Sequence, residues 1–138
     1  MDLTKKYIND LVYKVVGACI EVHKVLGPGL LESVYHKCLE KELTIRNINF
    51  KSEYKIPFSY KGLEINIDLR CDFFIENCLV LELKSVDLVL PIHQAQLLTY
   101  LKLLESPKGV LVNFNVDNIF YEGQQCLVNE IFRFLPEN

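Results

Sequence analysis

The sequence predicts an α/β sandwich around one mixed sheet. Three observations lead there. Two amphipathic stretches fill the first third of the chain, and strand-like alternation fills the middle. A further helix followed by a short apolar strand then completes the pattern. At 138 residues, with 50% hydrophobic and 24% charged residues, the chain has the size and composition of a single domain over 1–138.

Residues from about Leu3 to Leu26 read as a long helix whose apolar stripe includes Ile8, Leu11, Val12, Val15, Val16, Cys19, Ile20 and Val22. Gly27-Pro28-Gly29 stops it. A second helix is expected from about Leu30 to Arg46, with Leu31, Val34, Cys38 and Leu39 inward. Phe50 to Tyr60 reads as a strand and Lys61-Gly62 as a turn. From Glu64 to Ile75 the chain alternates: Ile65, Ile67, Leu69, Cys71, Phe73 and Ile75 point one way, and Glu64, Asn66, Asp68, Arg70 and Asp72 the other. Glu76-Asn77 is a tight turn, and Cys78 to Ser85 the returning strand. Pro91 suits the first turn of a third helix reaching about Leu104. Lys108 to Asn113 is a short buried strand, which a right-handed crossover would set parallel to the one before the helix. A last strand or helix is expected around Glu130 to Leu135.

Composition excludes several classes. No stretch approaches the roughly 18 uninterrupted apolar residues of a membrane span, and no early apolar run resembles a signal peptide. The five cysteines include no Cys-x-x-Cys pair. They read as reduced core thiols of a cytoplasmic protein, and their spacing speaks against zinc or an iron–sulfur cluster. A net charge of −3 is neutral on nucleic acid, because acids that hold a metal would account for it. A helix-turn-helix built from the first two helices lacks a basic recognition helix: Lys37, Lys41 and Arg46 are diluted by Glu40 and Glu42.

The chemistry-bearing pattern is Asp72, followed by Glu82-Leu83-Lys84. Glu82 and Lys84 share a strand face at a spacing of roughly 6.6 Å. Pairing around Glu76-Asn77 sets Asp72 almost opposite Glu82, within about 5.5 Å on the neighbouring strand. Two carboxylates so placed could hold one divalent cation. The plainer alternative is a cross-strand ion pair between Lys84 and either acid. Glu32 opens the second helix, where an acid also complements the helix dipole. On the third helix Gln96 and Tyr100 share a face, with Leu97, Leu98, Leu101 and Leu104 packing inside, and His93 a turn earlier suits a cap. His23 and His93 read as structural.

Asp72 followed by Glu82-x-Lys84 resembles the catalytic core of the PD-(D/E)XK nuclease superfamily. Gln96-x-x-x-Tyr100 is similar to the QxxxY motif of its RecB-like branch, and Gly29-x-x-Glu32-x-x-Tyr35 to the GxxExxY family. Cys71 stands where the superfamily often has proline. The resemblance implies a restriction-endonuclease-like αβββαβ core, a mixed sheet flanked by helices, with a Mg²⁺- or Mn²⁺-dependent phosphodiesterase site. Asp72 and Glu82 would ligate the metal with the Leu83 carbonyl, and Glu32 would shape or ligate the site. Lys84 would activate water, while Gln96 and Tyr100 would position the phosphate, metal-bound waters or Lys84. The implied partner is nucleic acid, foremost DNA, with no membrane; a homodimer is left open. The alternative is a catalytically silent module that binds nucleic acid or a protein.

Overall fold

In a computed structural model describing residues 2–138, helix α1 (Lys5–Leu26) starts at a side-chain cap. The Thr4 hydroxyl accepts a hydrogen bond from the Tyr7 N–H at 3.0 Å, satisfying one of the donors that a helix start leaves open. Ile8, Leu11, Val12, Val15, Val16, Cys19 and Val22 form the buried stripe. Gly27, at φ 73°, ends the helix with its N–H on the His23 carbonyl. Side-chain-bearing residues rarely take that conformation.

Helix α2 (Glu32–Ile45) packs on α1 and buries Tyr35, Leu39 and Leu43. Leu31 and Val34, expected inward, are exposed. Leu31 is the extended N-cap residue, so the helical stripe starts at Glu32.

The strand expected over Phe50 to Tyr60 ends earlier, as β1 (Phe50–Lys55). Pro57 follows shortly and has no N–H for a ladder. The chain departs as a two-stranded arm, β2 (Ser59–Tyr60) and β3 (Leu63–Glu64), turned at Lys61-Gly62. Of the alternating stretch only β4 (Arg70–Ile75) joins the main sheet. Ile67 therefore lies exposed at the arm, and Cys71 departs from the phase of Phe73 and Ile75. Then come β5 (Leu79–Lys84), α3 (Pro91–Leu104) and β6 (Lys108–Asn113), with β5 and β6 parallel as the strand–helix–strand pattern requires.

A π-helical turn (Ile119–Gly123) leads into β7 (Gln124–Val128), a strand the sequence reading missed. Its partly exposed residues, opening on Gln124 and Gln125, suit an edge, where only one neighbour is needed. The last element is the short helix α4 (Glu130–Arg133). The main sheet has five strands in the order β1-β4-β5-β6-β7, antiparallel except at β5–β6.

Two apolar layers cover this sheet. α1 and α2 close over Phe73, Ile75, Leu79, Leu81, Leu83, Val110 and Val112. α3 closes the other face with Leu97, Tyr100 and Leu101 over Cys71, Phe74, Val80 and Leu111. Each buried leucine contributes about 1.5–3 kcal/mol. Gly109 lets α3 approach, since a Cβ there would lie 2.8 Å from Leu97 Cδ1. Leu98, expected in this interface, is 42% exposed, because the inward stripe runs through Leu97, Tyr100 and Leu101. No described helix is long and apolar enough to cross a membrane.

Candidate active site

β4 and β5 are joined by Glu76, Asn77 and Cys78, the first two left-handed at φ 51° and 55°. That backbone suits a tight hairpin whose twist matches its strands. Outward from the turn the pairs are Ile75↔Leu79, Phe74↔Val80 and Phe73↔Leu81, and there the ladder ends. The same register sets Asp72 across from Glu82. Here side chains enter the gap between the strands. The Leu83 N–H donates to Asp72 Oδ2 at 2.7 Å, and the Asp72 N–H donates to Glu82 Oε2 at 3.4 Å. Each acid is thus held by the main chain of the opposite strand.

Glu82 is 6% exposed in a strand otherwise made of apolar residues and Lys84. Burial, then a hydrogen bond and charge from Asp72, push its carboxyl up to about 10. A carboxyl raised that far keeps its proton at neutral pH, so Glu82 is neutral beside Asp72 in the metal-free chain. Lys84 opposes that shift, yet among the described residues it makes no ion pair within 4.0 Å. The structural cross-strand ion pair is therefore not formed. Tyr100, buried on α3, has its hydroxyl pushed up by burial and then by Glu82 and Asp72. Gln96, one turn earlier, is exposed.

The start of α2 supplies the third acid. The Tyr35 hydroxyl donates to the Gly27 carbonyl at 2.6 Å and accepts from the Leu30 N–H at 3.1 Å. Its ring stacks on Phe114 with centroids 4.4 Å apart. Gly29 sits at φ 96° in the same bend. In Gly29-x-x-Glu32-x-x-Tyr35, the glycine and tyrosine shape the approach to the helix, and Glu32 stands in its first turn. Its carboxyl is pushed up by burial and by Asp72, while Lys84 and His36 pull it down. Glu32, His36, Glu53 and Asp72 border one cleft of about 400 Å³.

Several residues escaped the sequence reading. His36 lies one turn beyond Glu32, a spacing that was a readable signal. Its Nε2 pairs with Ser52 Oγ at 2.7 Å, and its ring stacks on Phe73 with centroids 4.3 Å apart. Ser85 and Asn113 carried no signal, because their partners are distant in sequence. The Ser85 hydroxyl donates to the Leu30 carbonyl at 2.6 Å, tying the end of β5 to the start of α2. Asn113 Oδ1 accepts from the Val86 N–H at 3.1 Å, and its Nδ2 donates to the Val86 carbonyl at 2.9 Å. His93 caps α3 by accepting the Leu90 N–H at 3.0 Å, and His23 pairs with the Val116 carbonyl at 2.8 Å.

Among the described residues no three His, Cys, Asp or Glu side chains converge as a ready metal cage. The close set is Asp72 with Glu82. Glu32, at the start of α2, feels the charge of Asp72. Such a donor set fits Mg²⁺ or Mn²⁺: a hard cation that retains several waters needs only one or two protein carboxylates.

Comparison with known proteins agrees with this geometry. Residues 9–126 match a family model described as the PD-(D/E)XK nuclease superfamily. A crystal structure of a protein called SSO0001 superposes with a TM-score of 0.54 at 29% sequence identity, over 70% of this chain and 49% of that one. The chain thus spans about half the length of that protein. No curated protein matches significantly.

Proposed function

The chain belongs to the PD-(D/E)XK nuclease superfamily, and we propose that it is a metal-dependent nuclease hydrolysing phosphodiester bonds, with DNA as its foremost substrate. Gly29, Glu32 and Tyr35 support the GxxExxY group, and Gln96 with Tyr100 the RecB-like branch. Five free cysteines suit the reducing cytoplasm.

One observation carries this reading. Asp72 and Glu82 are interlocked with main-chain N–H groups where the β4–β5 ladder ends, and among the described residues Lys84 makes no ion pair within 4.0 Å. Asp72, Glu82 and the Leu83 carbonyl would hold Mg²⁺ or Mn²⁺, with Glu32 shaping or joining the set. When bound, the cation supplies Lewis acidity at the phosphoryl oxygen and lowers the pKa of a coordinated water. Glu82 would give up its proton on joining the ligand set. Lys84 orients the attacking water and stabilises charge developing on the phosphoryl oxygens. Tyr100, behind the acids, and Gln96, one turn away, position the phosphate or the ordered waters.

The test exposes the purified protein to single-stranded, duplex and branched DNA and to RNA, with and without Mn²⁺. Cleavage that requires the metal is expected. Lys84→Ala should still bind Mn²⁺ but not cleave, and Asp72→Asn should do neither. A wild-type protein that binds no divalent metal would overturn the proposal. A second reading, the silent binding module, is favoured by the lack of a third converging ligand among the described residues. Mn²⁺ binding with no cleavage of any of these substrates would select it.

A further inference from the structure

The main sheet is distorted where Asp72 sits. In β4, Phe73 and Ile75 pack beneath α1 and α2, whereas Phe74 packs beneath α3. Strict alternation would put Cys71 with Phe73, but Cys71 packs beneath α3 beside Phe74 and Val80. β4 therefore changes phase between Cys71 and Phe73. On its β5 side the ladder ends at Phe73↔Leu81. On its β1 side, Ser52↔Phe73 and Tyr54↔Cys71 pair, but Glu53 and Asp72 between them do not.

Glu53 has a left-handed backbone, φ 48°, inside a strand. A residue with a side chain seldom takes that conformation, least of all within a strand. The pairs on both sides keep β1 and β4 together, so a bend at Glu53 is transmitted to β4 at Asp72. There the β4–β5 ladder ends, and the carboxylates of Asp72 and Glu82 reach the main chain of the opposite strand.

We infer that Glu53 is a positioning residue for the site, acting through its left-handed main chain and not through its carboxylate. The catalytic meaning of this role rests on the nuclease reading above. Strained backbone of this kind persists where the surrounding structure enforces it, and such outliers concentrate at functional sites.

The test compares four variants of the full chain by amide NMR at Asp72 and Leu83 and by Mn²⁺ affinity. Glu53→Gly and Glu53→Asn accept positive φ and should keep both amide signals and the wild-type affinity. Glu53→Gln removes the charge with the same side-chain length and should also match wild type. Glu53→Val resists positive φ and should move both amide signals and weaken Mn²⁺ binding about tenfold or more, as loss of a supporting residue does at metal sites. If Glu53→Val does not fold, Glu53→Ala replaces it and should shift the same two amides relative to Glu53→Gly. Unmoved amides in Glu53→Val or its replacement would overturn the inference. So would equal impairment of the Gly, Asn and Gln variants, which would assign the role to the carboxylate. A wild-type protein that binds no Mn²⁺ would overturn the nuclease reading instead, and the amide signals would still decide the role of Glu53.

Discussion

The two ends of the β4–β5 pair are built from the same strands to opposite purposes. At the turn end, Phe73, Phe74 and Ile75 face Leu79, Val80 and Leu81 through a closed ladder, all buried. At the open end, Asp72 and Glu82 hold the main chain with their side chains, and one of the two acids is buried. Stability comes from the closed end, where apolar area leaves water and main-chain groups pair with each other. The open end concentrates charge that folding alone would not favour. The difference teaches that the closed, turn-proximal end of the hairpin supports the site that its open end carries.

Substitutions should separate the two ends, and the largest effect belongs to the closed one. Leu81→Ala removes a fully buried side chain and should cost about 2–5 kcal/mol of stability, measured by urea denaturation. If Leu81→Ala is harmless while Asp72→Asn unfolds the chain, the comparison is broken. Next comes Lys84→Ala, which should lower the cleavage rate about 100- to 1000-fold, the scale for loss of one group stabilising transition-state charge. Its thermal midpoint should stay near wild type, since Lys84 makes no ion pair within 4.0 Å among the described residues.

A third test uses pH. The Glu82 carboxyl lies at about 10 in the folded chain against an ordinary 4.5. The folded state therefore holds the proton more tightly than the unfolded one. The associated stability is complete below the ordinary value and drains away as pH rises toward the folded one. Thermal midpoints of the metal-free protein should fall between pH 5 and 9 (both values set by the about-4.5-to-10 interval). Mn²⁺ affinity should rise over the same range, because binding expels the proton. Glu82→Gln should flatten both trends; a wild-type midpoint that climbs with pH would show that the fold does not hold Glu82 protonated. The smallest effect is on α3. Leu98→Ala should change stability by about 0.5 kcal/mol or less, against about 2–5 kcal/mol for Leu97→Ala.

Residue pattern carried the hairpin, the parallel β5–β6 pair and the order of helices and strands, because each follows from local periodicity or turn chemistry. Asp72, Glu82 and Lys84 were legible as a group for the same reason: a turn at Glu76-Asn77 sets their register. Other features depend on contacts that local pattern does not encode. Leu98 and Val34 are apolar residues on exposed flanks, where hydrophobicity misleads about facing. β7 is a short edge strand of five partly exposed residues that opens on two glutamines, so it shows no clean alternation. The phase change at Asp72 contradicts alternation outright, and its cause, the backbone at Glu53, lies on another strand. Ser85 and Asn113 position the site through partners far along the chain, so neither residue advertises its role.

The bond from the Leu83 N–H to Asp72 has a consequence for how such a site can change over generations. A main-chain N–H belongs to every residue type except proline. Position 83 can therefore exchange one apolar side chain for another without releasing Asp72, and the Asp72 N–H serves Glu82 on the same terms. The alignment of the acids is inherited through the path of the backbone, not through the identity of their neighbours. Sequences around the two carboxylates are free to drift far apart while the chemistry stays in register, and the substitution at position 83 that should cut the thread at once is Leu83→Pro.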